Sequence, residues 1–366
     1  MLNKLIKMVK KQNKTPRGLI IVPTIELADQ VLYSIENYAK YLDIKAISIQ
    51  GGVKKSIQIE KLSKGVDIIV ATPGRLIELI EEGYVSLEKV STVVLDEADT
   101  MLELGFLKEI TFLLSHCAKP RQIMMFSATI SQNIKKLAKE FLYEPVSVEV
   151  SKAKDVVEAI EHKAYKVDIK RKDELTRYLI KKSNAIAILL FVNTKEKASE
   201  LTKYLYEKNI RVATIHGDIK KQDRAKAITM LRNKSIQVLV ATDIAARGID
   251  IPALPLVINY DLSEVTDDFT HRVGRTGRAG QKGRVISLLT TKDYNKFTKI
   301  ERDLKLSIKR EIVDGFELQD RQPRQKIQKK KSLREKKGYI DYDKRRRYTY
   351  ADQKRKRAEQ KKNNKK

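Results

Sequence analysis

Short runs of β-branched and other apolar residues punctuate the chain, and longer stretches with apolar positions at helical spacing lie between them. In the first half the runs fall at 19–22 (LIIV), 46–49 (AISI), 68–71 (IIVA), 93–96 (VVLD) and 123–127 (IMMFS). A run that is apolar without alternation is the mark of a strand covered on both faces, as in a parallel sheet flanked by helices. The pattern therefore predicts repeated βα units and an α/β fold with mostly parallel sheets. It pauses over 151–161, where charges alternate, and resumes at 187–192, 212–215, 237–241, 256–259 and 285–289. That resumption predicts a second α/β domain. After about Gly315 the apolar periodicity stops. The expected organisation is a first domain over 1–150, a linker over 151–161, a second domain over 162–315, and a disordered tail over 316–366.

Composition narrows the partners. With 42% hydrophobic residues in 366, the chain can bury the cores of two domains. Its 75 Lys and Arg outnumber 47 Asp and Glu, a formal charge of +28 that suits a polyanion: nucleic acid first, an anionic membrane surface second. The longest apolar stretch, 185–192, is far shorter than the about 20 residues of a membrane-spanning helix. Leu2, Leu5, Ile6 and Val9 share one helical face with lysines between them, a face expected to pack inward rather than serve as a signal peptide. The single cysteine, Cys117, allows no intrachain disulfide and no thiolate cluster, and its neighbour His116 lacks metal-site spacing. A reducing, cytoplasmic location is the expectation. Within 321–366, 21 Lys and Arg face five Asp and Glu, a net charge of +16, interleaved with Tyr339, Tyr342, Tyr348 and Tyr350. Such a mixture suits phosphate contact with base stacking, though a merely solubilising tail would look similar.

Three short runs carry chemistry. Asp96-Glu97-Ala98-Asp99 follows an apolar strand, so its carboxylates emerge at the carboxyl end of a buried sheet, where open α/β sheets bind ligands. There one carboxylate can hold magnesium through water while its neighbour takes a proton from an attacking water; the same residues are also an ordinary acidic helix start. Ser127-Ala128-Thr129 ends the next strand and alone reads as a helix cap. His271 to Arg278, HRVGRTGR, sets arginines three apart amid glycines, a cationic turn able to neutralise phosphate oxygens.

Taken in order, these runs and their neighbours resemble the DEAD-box RNA helicase family over about residues 1–315. Pro23-Thr24-Ile25-Glu26-Leu27-Ala28-Asp29-Gln30 is similar to motif Ia, and Gly51-Gly52 and Thr72-Pro73-Gly74-Arg75-Leu76 to the next two RNA-contact elements. The DEAD tetrad is motif II and Ser-Ala-Thr motif III. Leu190 to Thr194 resembles motif IV, His216-Gly217 the element after it, Ala241 to Asp250 motif V, and the arginine-rich octapeptide motif VI. The resemblance implies two RecA-like domains that close over ATP and a short stretch of RNA and pry a duplex apart locally. By that pattern Asp96 and Glu97 organise Mg2+ and water, with Asp96 toward the metal. Arg275 and Arg278 act as arginine fingers, and Gly248 and Asp250 hold the nucleotide. Asp99, Ser127, Thr129 and His271 couple nucleotide state to RNA. Pro23, Thr24, Gly51, Gly52, Thr72, Pro73, Gly74, Arg75, Thr194, Gly217 and Thr242 line the sugar-phosphate path, which implies sequence-independent RNA binding.

Two departures stand out. No Gly-x-x-x-x-Gly-Lys-Ser/Thr run occurs, and Gly18 is the only glycine before Gly51, so the resemblance implies a first domain lacking both its phosphate-cradling Walker A loop and the glutamine-containing adenine-recognition element. The expectation is a chain that starts partway through the family's first domain, with an apolar sheet edge exposed and ATP turnover impaired. Ile25 stands where the family usually has arginine, removing one cation from the first RNA-contact element.

Overall fold

The computed structural model describes residues 15–149, 160–246, 254–277 and 283–319. The predicted face of Leu2, Leu5, Ile6 and Val9, most of the expected linker, and the tail with its four tyrosines lie outside the described residues, as do Gly248, Asp250 and Arg278.

β1 (Gly18–Ile21), β2 (Ala46–Ile49), β3 (Ile68–Ala71), β4 (Thr92–Leu95) and β5 (Gln122–Met125) form one sheet in the order β2-β3-β1-β4-β5, every pair parallel. The segments between and after them form α1 (Ile25–Tyr38), α2 (Lys55–Ser63), α3 (Pro73–Glu81), α4 (Ala98–Glu103), α5 (Leu107–Ser115) and α6 (Gln132–Phe141). Successive residues of a strand point to opposite faces. Leu19 and Ile21 accordingly join Ile69, Val93 and Leu95 in one core, while Ile20 and Val22 join Ile68 and Val70 in another. That two-sided burial is why the runs are apolar throughout. β5 is the exception at the sheet edge: none of its residues is fully buried, and Phe126 beside it is 54% exposed. Beyond α6 the extended chain leaves Val146 and Val148 exposed as well.

The second half builds a sheet of seven parallel strands from β6 (Glu161–Lys166), β7 (Ile188–Phe191), β8 (Val212–Ile215), β9 (Val238–Ala241), β10 (Leu256–Asn259), β11 (Arg284–Leu289) and β12 (Arg310–Glu311). Their order is β12-β6-β11-β10-β7-β9-β8. Its helices are α7 (Lys172–Ser183), α8 (Lys195–Glu207), α9 (Lys221–Arg232), α10 (Asp243–Ala246), α11 (Thr266–Val273) and α12 (Tyr294–Leu304). β6 and β12 do not appear in the apolar pattern. β6 reads EHKAYK, with only Ala164 fully buried, and β12 is a two-residue edge strand. β6 begins at Glu161, the last residue of the stretch expected to be linker. At the other end Phe316 is buried beneath the Arg171 guanidinium, 4.4 Å from its ring centroid, and the Gln319 amide donates to Asp168 Oδ2 at 2.6 Å. Among the described residues no helix is long and apolar enough to cross a membrane.

Because every strand is parallel, all the loops that follow strands leave from one edge of each sheet. In the first sheet this gathers Pro23-Thr24 after β1, Gly51-Gly52 after β2 and Thr72 to Arg75 after β3 on one side. Asp96 to Asp99 after β4 and Ser127 to Thr129 after β5 fall on the other. The second sheet repeats the division: Thr194, Gly217 and Thr242 follow β7, β8 and β9, while the arginine-rich turn follows the helix after β10.

Candidate functional site

The loops after β1, β2 and β3 offer backbone and small polar groups more than charge. Thr24 caps α1, its Oγ1 accepting from the Leu27 amide at 3.3 Å, with Pro23 buried behind it. Gly52 has φ +75°, in the left-handed region where a side chain is strained, and the space where a Cβ would stand is open at both Gly51 and Gly52. The turn is braced from within. Gln58, almost fully buried, takes a hydrogen bond from the Gln50 amide at 2.9 Å and donates to the carbonyls of Gln50 and Val53. Thr72, Pro73 and Gly74 start α3, with Gly74 exposed. Arg75 is less open than the resemblance implies, since it is shared between Glu78 at 2.7 Å and the Val53 carbonyl at 3.0 Å. It braces the glycine turn.

On the other side of the sheet Glu97 adopts φ 48° and ψ 52°, a left-handed conformation uncommon outside glycine. Strain of this kind persists where surrounding structure holds it, and it is concentrated at functional sites. Here it turns the chain from β4 into α4. Burial raises the Asp96 carboxyl above its ordinary value, against the Glu97 amide that donates to it at 3.0 Å and in concert with the charge of Asp99. Burial likewise raises Glu97, against the opposing fields of Arg275 and His271, and its Oε2 is buried with no hydrogen-bond partner among the described residues. Two desolvated carboxylates side by side form a site short of positive charge.

Asp99 is the opposite case. Burial would raise its carboxyl, yet His271, Ser127 and the Thr129 amide together hold it well below the usual range. Its Oδ2 accepts from the Thr129 amide at 2.9 Å and from Thr129 Oγ1 at 3.1 Å, and lies 3.5 Å from His271 Nε2, close enough for electrostatic attraction without a formed hydrogen bond. Ser127 Oγ donates to the Thr129 carbonyl at 2.6 Å, closing the same knot. One carboxylate thus joins the strand-end loops of β4 and β5 to α11 of the second sheet. Because folding lowers this pKa, Asp99 contributes stability above its ordinary value of 3.8, and the contribution is lost as pH falls through the depressed folded-state value. Asp99→Asn should cost about 1–3 kcal/mol at neutral pH and should flatten the acid limb of a stability-against-pH curve measured by denaturant unfolding. An acid limb unchanged by the substitution would remove Asp99 from this role.

In the second half Thr194 caps α8, its Oγ1 accepting from the Lys197 amide at 3.1 Å; Gly217 is exposed with open space around it, and Thr242 directly follows β9. His216 is buried, its Nε2 within 3.2 Å of Ser199 Oγ. The arginine-rich turn divides its work. Arg275 follows α11 and its charge reaches Glu97, whereas Arg272 is 1% exposed and serves the interior. Arg272 forms a two-point ion pair with Asp243, both contacts 2.6 Å, and donates to Asn193 Oδ1 at 3.1 Å and to the Asp261 carbonyl. Its guanidinium also stands 5.0 Å from the Phe191 ring. These partners follow β7, β9 and β10, so Arg272 fills the crevice beside β7 where the strand order reverses. Sequence reasoning missed this residue. The available signal was helical spacing, since Phe269, Arg272 and Val273 share the buried face of α11. Gly277 (φ +67°) completes the turn; a Cβ there would stand 2.6 Å from Ile160.

Two parallel sheets whose strand-end loops bring a strained acidic tetrad against an arginine turn define a tandem α/β protein of the RecA-like class. The DEAD/DEAH box helicase family model matches residues 1–137, and the helicase conserved C-terminal domain model matches 170–280. The ATP-dependent RNA helicase RhlB of Shewanella amazonensis is 35% identical over 335 residues, covering 90% of this chain and 76% of that protein. DbpA of Bacillus subtilis is 36% identical over 308 residues, 84% of this chain and 62% of its own length. DDX42 of Mus musculus is 37% identical over 307 residues, and the chain spans 33% of its length, about a third. The solved structure of S. cerevisiae Dbp5 bound to RNA and ADP BeF3 superposes with a TM-score of 0.75 at 29% identity, covering 85% of this chain and 81% of that one. The chain belongs to the DEAD/DEAH box helicase family.

Proposed function

We propose that this chain acts as the two-domain core of an ATP-dependent RNA helicase, gripping RNA by its backbone while ATP hydrolysis between the two halves drives closure and local strand separation. One observation carries the reading. On both sheets the loops built of glycine, threonine and backbone amides lie to one side, and the acidic tetrad and the arginine turn to the other, where Asp99 stands 3.5 Å from His271 across the two halves. Glycine turns and helix caps suit sugar-phosphate contact, which positions RNA without reading its sequence. The RNA and nucleotide in the Dbp5 structure support the same assignment.

The charged side fits Mg2+ with ATP. Asp96 would hold the ion through water, since among the described residues no group of three or more ligating side chains could cage a metal, and magnesium characteristically keeps water and phosphate ligands. The ion would supply charge neutralisation at the phosphates. Glu97, raised by burial, is suited to accept a proton from the attacking water, and Arg275 to stabilise charge on the transferred phosphate. Gly248, Asp250 and Arg278 are assigned to the same nucleotide by resemblance.

A second reading, an RNA clamp without turnover, is favoured by one feature: the 366-residue sequence contains no Gly-x-x-x-x-Gly-Lys-Ser/Thr run of the kind that cradles phosphates. Purified chain 1–366 is expected to hydrolyse ATP at background. RNA-stimulated turnover that disappears in Glu97→Gln would overturn that expectation.

RNA binding is common to both readings and is tested through salt. The tail's net +16 is assigned much of the nucleotide-independent affinity through counterion release. Deleting Arg321–Lys366 should weaken single-stranded and duplex RNA alike and flatten the plot of log affinity against log salt by several units, at about 0.7–0.9 per neutralised phosphate. Replacing the four tail tyrosines by alanine should penalise single strands selectively and leave that slope intact. Unchanged affinity and slope on deletion would make the tail a solvated passenger.

A further inference from the structure

Two ion pairs join α1 of the first sheet to α9 of the second: Glu26 with Arg224 at 3.0 Å, and Asp29 with Lys221 at 2.6 Å. Asp29 does more than bridge. Its other oxygen, Oδ1, accepts from Gln50 Nε2 at 2.6 Å, and Gln50 is the residue that opens the Gly51-Gly52 turn. Gln50 is 2% exposed, and its amide and carbonyl are both held by Gln58, which also holds the Val53 carbonyl. A single carboxylate therefore has one oxygen on the second half of the motor and the other on the residue that anchors the glycine turn.

We propose that Asp29 is a positioning residue that couples closure of the two halves to the order of the Gly51-Gly52 turn, with Lys221 as its partner across the interface. The inference rests on the reading of that turn as an RNA contact. When the halves close, Lys221 fixes the Asp29 carboxylate in the orientation that accepts from Gln50. When they part, the carboxylate is drawn toward water, and the buried Gln50 side-chain amide is left with only the long contact to Ser48 Oγ at 3.4 Å, which loosens the turn. Linkage makes the effect reciprocal: RNA that orders the turn favours Lys221 pairing, and so favours closure. The pair is partly exposed, 44% for the Asp29 side chain and 31% for Lys221, so screening by solvent keeps its coupling modest and sensitive to salt.

The test uses the full chain and a short single-stranded RNA of mixed sequence, with affinity from fluorescence anisotropy, interdomain distance from paired spin labels, and amide exchange at Gly51 and Gly52. Asp29→Asn keeps an acceptor for Gln50 and removes the charge that Lys221 needs. Direct electrostatics would make this variant bind RNA more tightly, because a negative charge is gone from the path of a polyanion. The coupling predicts the opposite sign, affinity about threefold weaker at low salt with a longer mean interdomain distance, the deficit closing as salt is raised. Lys221→Met should give the same distance change and faster exchange at Gly51 and Gly52, which a lysine acting only as a tether would leave alone. Exchanging the charges, Asp29→Lys with Lys221→Asp, should restore the interdomain distance but not RNA affinity, since lysine cannot accept from Gln50. Asp29→Asn binding RNA as tightly as the natural chain, or more tightly, would overturn the coupling. So would full recovery of RNA affinity in the exchanged pair. If the natural chain itself binds no RNA, the RNA reading of the turn falls, a result distinct from either.

Discussion

In a form of the chain that carries a Walker A loop, replacing Arg275 by alanine is expected to lower RNA-stimulated ATP hydrolysis by about 10³–10⁵, the range for arginine fingers in related NTPases. Its charge is the largest influence opposing the burial of Glu97, and on the proposed reading it faces the negative charge that grows as the terminal phosphate transfers. Its position is fixed by the chain rather than chosen by the side chain. The Arg275 amide donates to the Arg272 carbonyl at 3.1 Å, and the Arg275 carbonyl accepts from the Leu254 amide at 3.0 Å. Nucleotide-free RNA affinity should change far less, because the RNA-type loops lie on the other side of both sheets. Single-turnover kinetics on the variant, beside anisotropy with the same RNA, would separate the two effects; near-normal hydrolysis would remove Arg275 from the site.

Arg272→Ala, three residues earlier, is expected to fail in a different way. It would leave Asp243 without its ionic partner and the acceptors on Asn193 and Asp261 without a donor, all around one fully buried guanidinium. Breaking a buried pair by removing one member costs about 3–5 kcal/mol, and because Asp243 is 22% exposed, water screens the stranded charge and the loss is expected near the lower end of that range. Denaturant unfolding of the second half should register that loss. Asp243→Asn should recover part of it in the double variant, since the stranded charge is then gone. A variant unfolding at the natural midpoint would contradict the keystone role. The contrast with Arg275 matters because two arginines of one short motif are assigned unrelated work, one holding the fold and one serving the chemistry.

How much of this was legible depends on how each part earns its stability. Strands buried on both faces must be apolar almost throughout, so β1, β3, β4, β7, β9, β10 and β11 could be read from the sequence to within a residue or so at each end, and the partly buried edge strands β2 and β8 kept enough apolar residues to be read with them. β6 could not, because only Ala164 is fully buried and the rest of EHKAYK looks like linker. The acidic tetrad and the Ser-Ala-Thr run could be placed at strand ends because βα units put them there. Their connection through Asp99 to His271 spans 172 residues of chain and has no local signature. The left-handed backbone at Glu97 has none either, since nothing in the sequence of an acidic helix start demands it. Arg272 was hidden by the habit of reading arginine beside glycine as a phosphate contact. Its helical spacing with Phe269 and Val273 pointed inward instead.

The most direct measurement of the central claim is amide exchange along the full chain with and without a short single-stranded RNA of mixed sequence. Protection is expected in both halves together, at Gly51 and Gly52, at Thr72 to Arg75, and at Thr194, Gly217 and Thr242, with the same pattern for RNAs of unrelated sequence. Protection confined to Arg321–Lys366, with the strand-end loops of both sheets exchanging as in free protein, would contradict it.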